Sequence, residues 1–484
     1  MSRSPALLLL LLAGCGSSAN MASGAFGVTP GGSQDINYAR DVIEAGGIPA
    51  QDQFTAEGLF SQHDLPLSGE ECHEILCPRA KATPFDPVDG SGERMLVQLG
   101  FGTVVTAENF ERRPLDVAVA VDISGSMEDS HKLDDVKTAL GVMVDQLDAS
   151  DRMALVAFDD NPDVRQESLV MDADGREKMH RTIDALQPQG GTNIEAGLLA
   201  AYEQVALEAS APGIEHRVML MTDAQPNEGD TSVTSFRGMT AYYAEAGIGI
   251  SVFGVGLDMG TELANAISHT RGGNYFYLAD REDISRVFDT EFDLIVSPIA
   301  YDLDVTVTPA EGMAFAESYG APVDGDIHTV AMGASTLFLA ARDGGIGATL
   351  SGALPQEGGE KIAEFEMSYV TLDGETRHDS LRVGWDGGIL ISGQEVEADD
   401  VGVYKMAGLA DEYLALMGAA DACAGRLDKH AALLRIEAAL EHVQELTTRL
   451  EDAPLSDEVQ LLDQLATNLS AERPACQPED AYGY

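Results

Sequence analysis

Between residues 115 and 297 short apolar runs alternate with stretches of helical period, and this alternation constrains the fold more than any other feature of the chain. The run Leu115 to Val121 is short enough for a parallel strand buried on both faces. Met153–Phe158, Val218–Thr222, Ile248–Val255 and Tyr275–Leu278 repeat the type. Helical patterns fill the gaps at 132–147, 176–186, 193–208, 233–246, 260–270 and 283–296. Strands alternating with helices predict an α/β fold with a doubly wound, mostly parallel sheet, in which ligands bind beyond the strand C-termini.

The first strand ends in Asp122-Ile123-Ser124-Gly125-Ser126-Met127. Asp, Ser and Ser at every second position of a loop present three oxygen ligands to one side, a donor set for a hard cation that keeps some of its water. Two further strand-end segments offer oxygens: Gly190-Gly191-Thr192-Asn193 before a helix, and Thr222-Asp223 at the end of a strand. Together, D-x-S-x-S, the GGTN threonine and the terminal TD resemble the metal-ion-dependent adhesion site of von Willebrand factor A domains. The resemblance implies Mg2+, with Mn2+ or Ca2+ as alternatives, held directly by Ser124, Ser126 and Thr192 and through water by Asp122 and Asp223. It also implies an open coordination position that an acidic group of a protein or polymer partner fills.

The N-terminus predicts the compartment. Arg3 precedes the apolar run Ala6 to Leu12, which is too short to span a bilayer and reads as a signal-peptide core. Leu12-Ala13-Gly14-Cys15 follows at once and resembles the lipobox of bacterial lipoproteins, implying acylation of Cys15 and a lipid anchor in the cell envelope. Gly16 in place of Asp favours the outer membrane or cell surface by the same resemblance. Residues 35–65 resemble the N-terminal segment of bacterial von Willebrand factor A lipoproteins, on the aspartate–tyrosine helix around Asp35 and Tyr38 and the stretch Gly46-Gly47-Ile48-Pro49. Four cysteines remain beside Cys15: Cys72, Cys77, Cys423 and Cys476. An even number in an exported chain predicts two disulfides; proximity favours Cys72–Cys77 and Cys423–Cys476 among the three pairings.

Outside the α/β region, Ile36, Ala39, Val42 and Ile43 have helical spacing, and Met95, Val97, Leu99 and Phe101 alternate as one face of a strand. Residues 301–392 carry similar strand patterns broken by glycines, as in an antiparallel sandwich. From 400 to 470 the period turns helical, with Leu433, Leu434, Ile436, Leu440, Val443, Leu446 and Leu450 expected to form a bundle face. The chain thus divides into a lipoprotein signal peptide and lipobox (1–15), a Gly/Ser/Ala-rich flexible tether (16–34), an N-terminal helical segment and strand (35–113), the α/β domain (114–297), a β-rich sandwich-like domain (298–392) and a helical C-terminal region (393–484). Because strand 94–103 precedes the α/β domain and the sheet-rich part follows it, one sandwich built from both would carry the α/β domain as an insertion. That domain would hang from connections near Pro114 and Pro298, with the helix Ile284 to Val296 as a candidate hinge.

A formal charge of −52 spreads acidic excess over every segment. Nucleic acid is excluded as a partner, since binding it requires a basic face. No D-x-D-x-D-G calcium loop occurs, so the acidic excess reads as a heavily solvated surface; no G-x-S-x-G or H-E-x-x-H occurs, so the chain is expected to be a binding protein and not an enzyme. His131 reads as a surface residue, and Asp159 and Asp160 read by default as loop carboxylates, with lining of the site rim as the alternative.

Overall fold

The computed structural model describes residues 26–478 except 32, 35, 207–212, 224–226, 256–260, 279–280, 322, 327, 353, 356–358 and 386–399. The signal peptide, the lipobox and Cys15 lie outside the described residues.

Among the described residues the α/β domain is built on a seven-stranded sheet, in the order Ser33–Gln34, Gly273–Leu278, Ile248–Val255, Glu215–Thr222, Leu115–Asp122, Arg152–Phe158 and Pro162–Val170. Strand Leu115–Asp122 is central and parallel to both neighbours; Val119 sits opposite Leu155 on one side and Met219 on the other. All eight of its residues are buried. Leu115, Val117, Val119 and Val121 pack with helix Lys132–Gln146 on one face, while Ala118 and Ala120 on the other face meet helix Ile194–Ala206. Two-sided burial explains the nearly unbroken apolar run. Edge strand Pro162–Val170 is antiparallel and mostly exposed, so no apolar pattern announces it.

The α/β domain is inserted into a sandwich. In one sheet, Arg94–Gly102 lies between Cys77–Phe85 and Ile346–Gly352, with Met313–Tyr319 beyond. The facing sheet runs Gly27–Pro30, Thr329–Ala340, Pro298–Pro309, Lys361–Thr371, Thr376–Gly384, with Val323–Asp326 also paired to Thr329–Ala340. Met95, Val97, Leu99 and Phe101 enter the sandwich core, as their alternation predicts. The opposite face of that strand is buried too: Leu96 joins the helical core, and Gln98 Nε2 donates to Leu65 O at 2.9 Å.

Helices Val401–Cys423, Lys429–Leu450 and Ala453–Ser470 share one core with helices Ile36–Glu44 and Ala56–Ser61. Ile436, Val443 and Leu446 face that core; Leu434 does not, being 51% exposed on the opposite side of its helix. Polar contacts reinforce the junction: Asn468 Nδ2 donates to Ile43 O and Gly47 O at 2.8 Å each, and Glu458 accepts from Arg40 and from His63. The disulfides are Cys72–Cys77 and Cys423–Cys476. Ala475–Cys476 also pairs with Gly47–Ile48, so the C-terminal segment returns to the N-terminal one. Among the described residues no helix is long and apolar enough to cross a membrane.

Two expectations need correction. The stretch 16–34 is not a tether throughout: Gly27–Pro30 pairs with Leu337–Ala340 of the sandwich, and Ser33–Gln34 pairs with Tyr275–Phe276 of the α/β sheet. Both segments are ordered by backbone pairing to existing strands and carry no apolar pattern of their own. Nor does the α/β domain hang on two connections alone. Besides this strap, Gly272 N donates to Thr336 Oγ1 at 2.6 Å, the Arg217 guanidinium lies 5.4 Å from the Phe338 ring centroid, and Arg271 stacks 4.2 Å from Tyr301. The expected continuous hinge helix is broken into Arg281–Ser285, a π-turn at Arg286–Thr290 and Phe292–Ile295.

Candidate metal centre

The strand order reverses direction at Leu115–Asp122, whose sequence neighbour Arg152–Phe158 lies on one side and Glu215–Thr222 on the other. A crevice opens beyond the C-terminal ends at such a switch point. Asp122 closes the strand, fully buried. Its Oδ1 accepts the Ser124 backbone N–H at 2.8 Å, bending the chain into the loop, and its Oδ2 accepts the Thr222 hydroxyl at 2.6 Å. Ser124 Oγ and Ser126 Oγ are 3.0 Å apart, and Ser126 Oγ donates to Asp223 Oδ1 at 2.9 Å. Asp122, Ser124, Ser126 and Asp223 are therefore joined in one hydrogen-bonded group with Thr222.

The loop that carries Thr192 is tied to the first loop. Gln189 N donates to Ile123 O at 2.5 Å and Gly125 N to Gly190 O at 3.1 Å, which ties this loop to the first. Thr192 N donates to Asn227 Oδ1 at 3.0 Å, and Thr192 O accepts from the Asn227 and Glu228 backbone, which ties it to the segment after Asp223. Thr192 itself is 2% exposed. Gly190 adopts φ +74, and a Cβ there would lie 2.7 Å from Asp159 Cβ, so glycine is required on both counts. Asp159 and Asp160, loop carboxylates by the sequence, hold this loop: Asp159 Oδ2 accepts Gln189 Nε2 at 2.8 Å, and Asp160 Oδ1 accepts Gly191 N at 2.7 Å. His131 is exposed, as expected, beside Asp134.

The donors are all oxygens: two carboxylates and three hydroxyls. Among the described residues no group of three or more His, Cys, Asp or Glu side chains is disposed to hold a metal, so any cation here relies on the hydroxyls for the rest of its shell. That composition fits a hard divalent ion with retained water. Burial is the largest influence on Asp122 and pushes its carboxyl up to about 6; the nearby Asp223 charge adds to this, while hydrogen bonds from Thr222 and Ser124 oppose it.

One participant is absent from the sequence reading. Lys132 Nζ donates to Asp223 Oδ2 at 2.7 Å in a buried pair. Its signal in the sequence is a cation in the first turn of a helix, where the helix dipole favours acids.

With this geometry in place, the comparisons decide the family of the domain. Residues 116–290 match the sequence model of the von Willebrand factor type A domain. They form a von Willebrand factor type A domain. The likeness of fold extends further along the chain: a solved von Willebrand factor type A structure from Catenulispora acidiphila covers 82% of this chain and 91% of its own, with a TM-score of 0.52 at 15% identity. An uncharacterized protein of Escherichia coli K12, YfbK, is 28% identical over 276 residues, 55% of this chain and 47% of that protein. Human inter-alpha-trypsin inhibitor heavy chain H2 is 22% identical over 243 residues, 46% of this chain and 25% of the heavy chain. The chain thus spans less than half the length of these curated relatives.

Proposed function

We propose that this chain is a binding protein of the bacterial cell envelope, lipid-anchored through Cys15, whose type A domain grips an acidic group on a protein or polymer partner through Mg2+. The observation that carries this reading is the convergence of Asp122, Ser124, Ser126 and Asp223 in one hydrogen-bonded group, with the Thr192 loop tied to it on both sides. In this reading Ser124, Ser126 and Thr192 hold the ion directly, and Asp122 and Asp223 hold its water. The ion supplies a positive centre with a position open to an anionic oxygen. The backbone bonds among the loops keep the hydroxyls assembled in advance, so little ordering remains for the ligand to drive.

Exposed acids flank these loops, among them Glu128, Asp129, Asp160, Glu228 and Asp230. An acidic partner approaches against their field, and the attraction has to come locally from the ion. The competing reading is a periplasmic scaffold in which the sandwich and C-terminal helices carry the interaction and metal is structural. The C-terminal helices, however, spend their apolar faces on this chain's own helices Ile36–Glu44 and Ala56–Ser61, which favours the type A domain as the contact. It also makes deletion of 400–484 a poor test, since the core would be opened.

The test is co-purification from envelope extracts with wild type and with Asp122→Ala and Ser124→Ala variants, with and without chelator. Partner capture that is lost in both variants and with chelator supports the metal bridge. Capture indifferent to all three sinks it and leaves the scaffold.

A further inference from the structure

We propose that Lys132 is a resident counter-charge of the metal site, holding the loops together without metal and leaving a bound divalent ion under-neutralised, so that the open position selects a ligand carrying its own negative charge. This rests on the metal reading above and extends it to a residue outside the donor set.

Geometry carries the argument. The ammonium of Lys132 lies 2.7 Å from Asp223 Oδ2, while Asp223 Oδ1 takes the Ser126 hydroxyl, so both oxygens of that carboxylate are engaged. The lysine side chain is 10% exposed and the aspartate 0%, so solvent screens this pair little. Lys132 is placed there by an unusual turn: His131 adopts the left-handed conformation at φ 64, ending the 3-10 turn Gly125–His131 and starting helix Lys132–Gln146. A cation at that helix start opposes the helix dipole, and the Asp223 carboxylate offsets the cost.

The charge count follows. Asp122 and Asp223 contribute two negative charges, Lys132 one positive charge, and a divalent ion would face a net of −1 from these three side chains. Ligand charge count is a principal control on cation affinity in oxygen sites. With both carboxylates uncompensated, the ion would be held more tightly and would carry less residual charge toward a partner. With Lys132 present, it is held more weakly and retains more attraction for an anionic oxygen than for a neutral one. In the metal-free protein, the same lysine offsets two carboxylates buried side by side, a situation otherwise unfavourable.

The alternative is that Lys132 is only a buried ion pair pinning the helix to the strand end, and the two differ in sign. Loss of a pin loosens the site and weakens metal binding, whereas loss of a counter-charge tightens it. Titration calorimetry of Mn2+ into the full chain tests this with wild type, Lys132→Met, Lys132→Arg, Asp223→Asn and the double variant Lys132→Met/Asp223→Asn. Lys132→Met is expected to bind Mn2+ about tenfold tighter or more than wild type, and Lys132→Arg to stay near wild type. Asp223→Asn is expected to lose most affinity, and the double variant, which restores the net charge, to regain about tenfold of that loss. Added acetate, compared with acetamide, tightens Mn2+ binding by wild type more than by Lys132→Met. A Lys132→Met chain that folds only with Mn2+ present also supports the proposal, since the ion then replaces the lost cation. Should Lys132→Met fold under neither condition, the double variant against Asp223→Asn decides alone. Equal or weaker binding by Lys132→Met, or a double variant no better than Asp223→Asn, overturns the role of Lys132. If wild type and every variant bind no Mn2+, it is the metal reading that fails.

Discussion

Lowering the pH from 7.5 to 5 should weaken divalent-cation binding about tenfold, because Asp122 has to be ionised to serve the site and burial raises its carboxyl to about 6. One unit below that value only about a tenth of the group is ionised, and the proton competes with the metal. An ordinary aspartate with its value near 3.8 would remain almost fully ionised at pH 5, and affinity would hardly change. The metal-free fold responds in the opposite direction. A carboxyl raised in the folded state contributes stability that is present below about pH 4 and is lost as pH rises through about 6. Metal then offsets a cost that the fold bears at neutral pH. Calorimetric titration of Mn2+ at pH 5, 6 and 7.5, in buffers of different ionisation enthalpy, reads both affinity and protons released. Release of about half a proton per ion at pH 6, falling toward none at 7.5, is expected. Affinity flat from pH 5 to 7.5 with no proton release would refute the claim that Asp122 is a desolvated carboxylate at the metal.

Other expectations follow from particular contacts. Replacing Cys423 and Cys476 with serine opens a loop with a sequence separation of 53 and should cost about 4 kcal/mol in denaturant unfolding. The same change at Cys72 and Cys77, separated by 5, should cost about 2 kcal/mol; equal costs would mean that loop closure is not what these bonds contribute. Gly190→Ala forces a side chain into the left-handed region against Asp159 and should cost about 1–3 kcal/mol in stability. It should also weaken metal binding, and unchanged affinity would show that this loop does not position Thr192. With an acidic partner, affinity should rise with added NaCl as the exposed acids are screened, and monotonic weakening would count against an acidic ligand.

What was legible in the sequence tracks two-sided burial. The runs at 115–121 and 248–255 are apolar on both faces because helices cover both faces, so strand and fold class showed together. Strand Pro162–Val170 carried no such signal because it is an exposed edge. The strands at Gly27–Pro30 and Ser33–Gln34 looked like a tether because their order comes from pairing partners about 240 to 310 residues away, beyond any local pattern. At the site, Asp122, Ser124, Ser126 and Asp223 were readable from loop motifs at strand ends, and the structure brings them together. Lys132 was not readable as a participant, since its meaning depends on reaching a carboxylate 91 positions away. Asp159 and Asp160 are readable as loop carboxylates, and their bonds to Gln189 and Gly191 add that they support the Thr192 loop.

The central claim is that the three loops hold one divalent cation. Its most direct test is calorimetric titration of Mg2+ and Mn2+ into the full chain at pH 7.5, beside a Ser124→Ala/Ser126→Ala variant whose fold is checked by circular dichroism. The account predicts one ion bound per chain in the wild type and none in a folded variant. A wild type that binds no ion, or a variant that binds as tightly as the wild type, would contradict it.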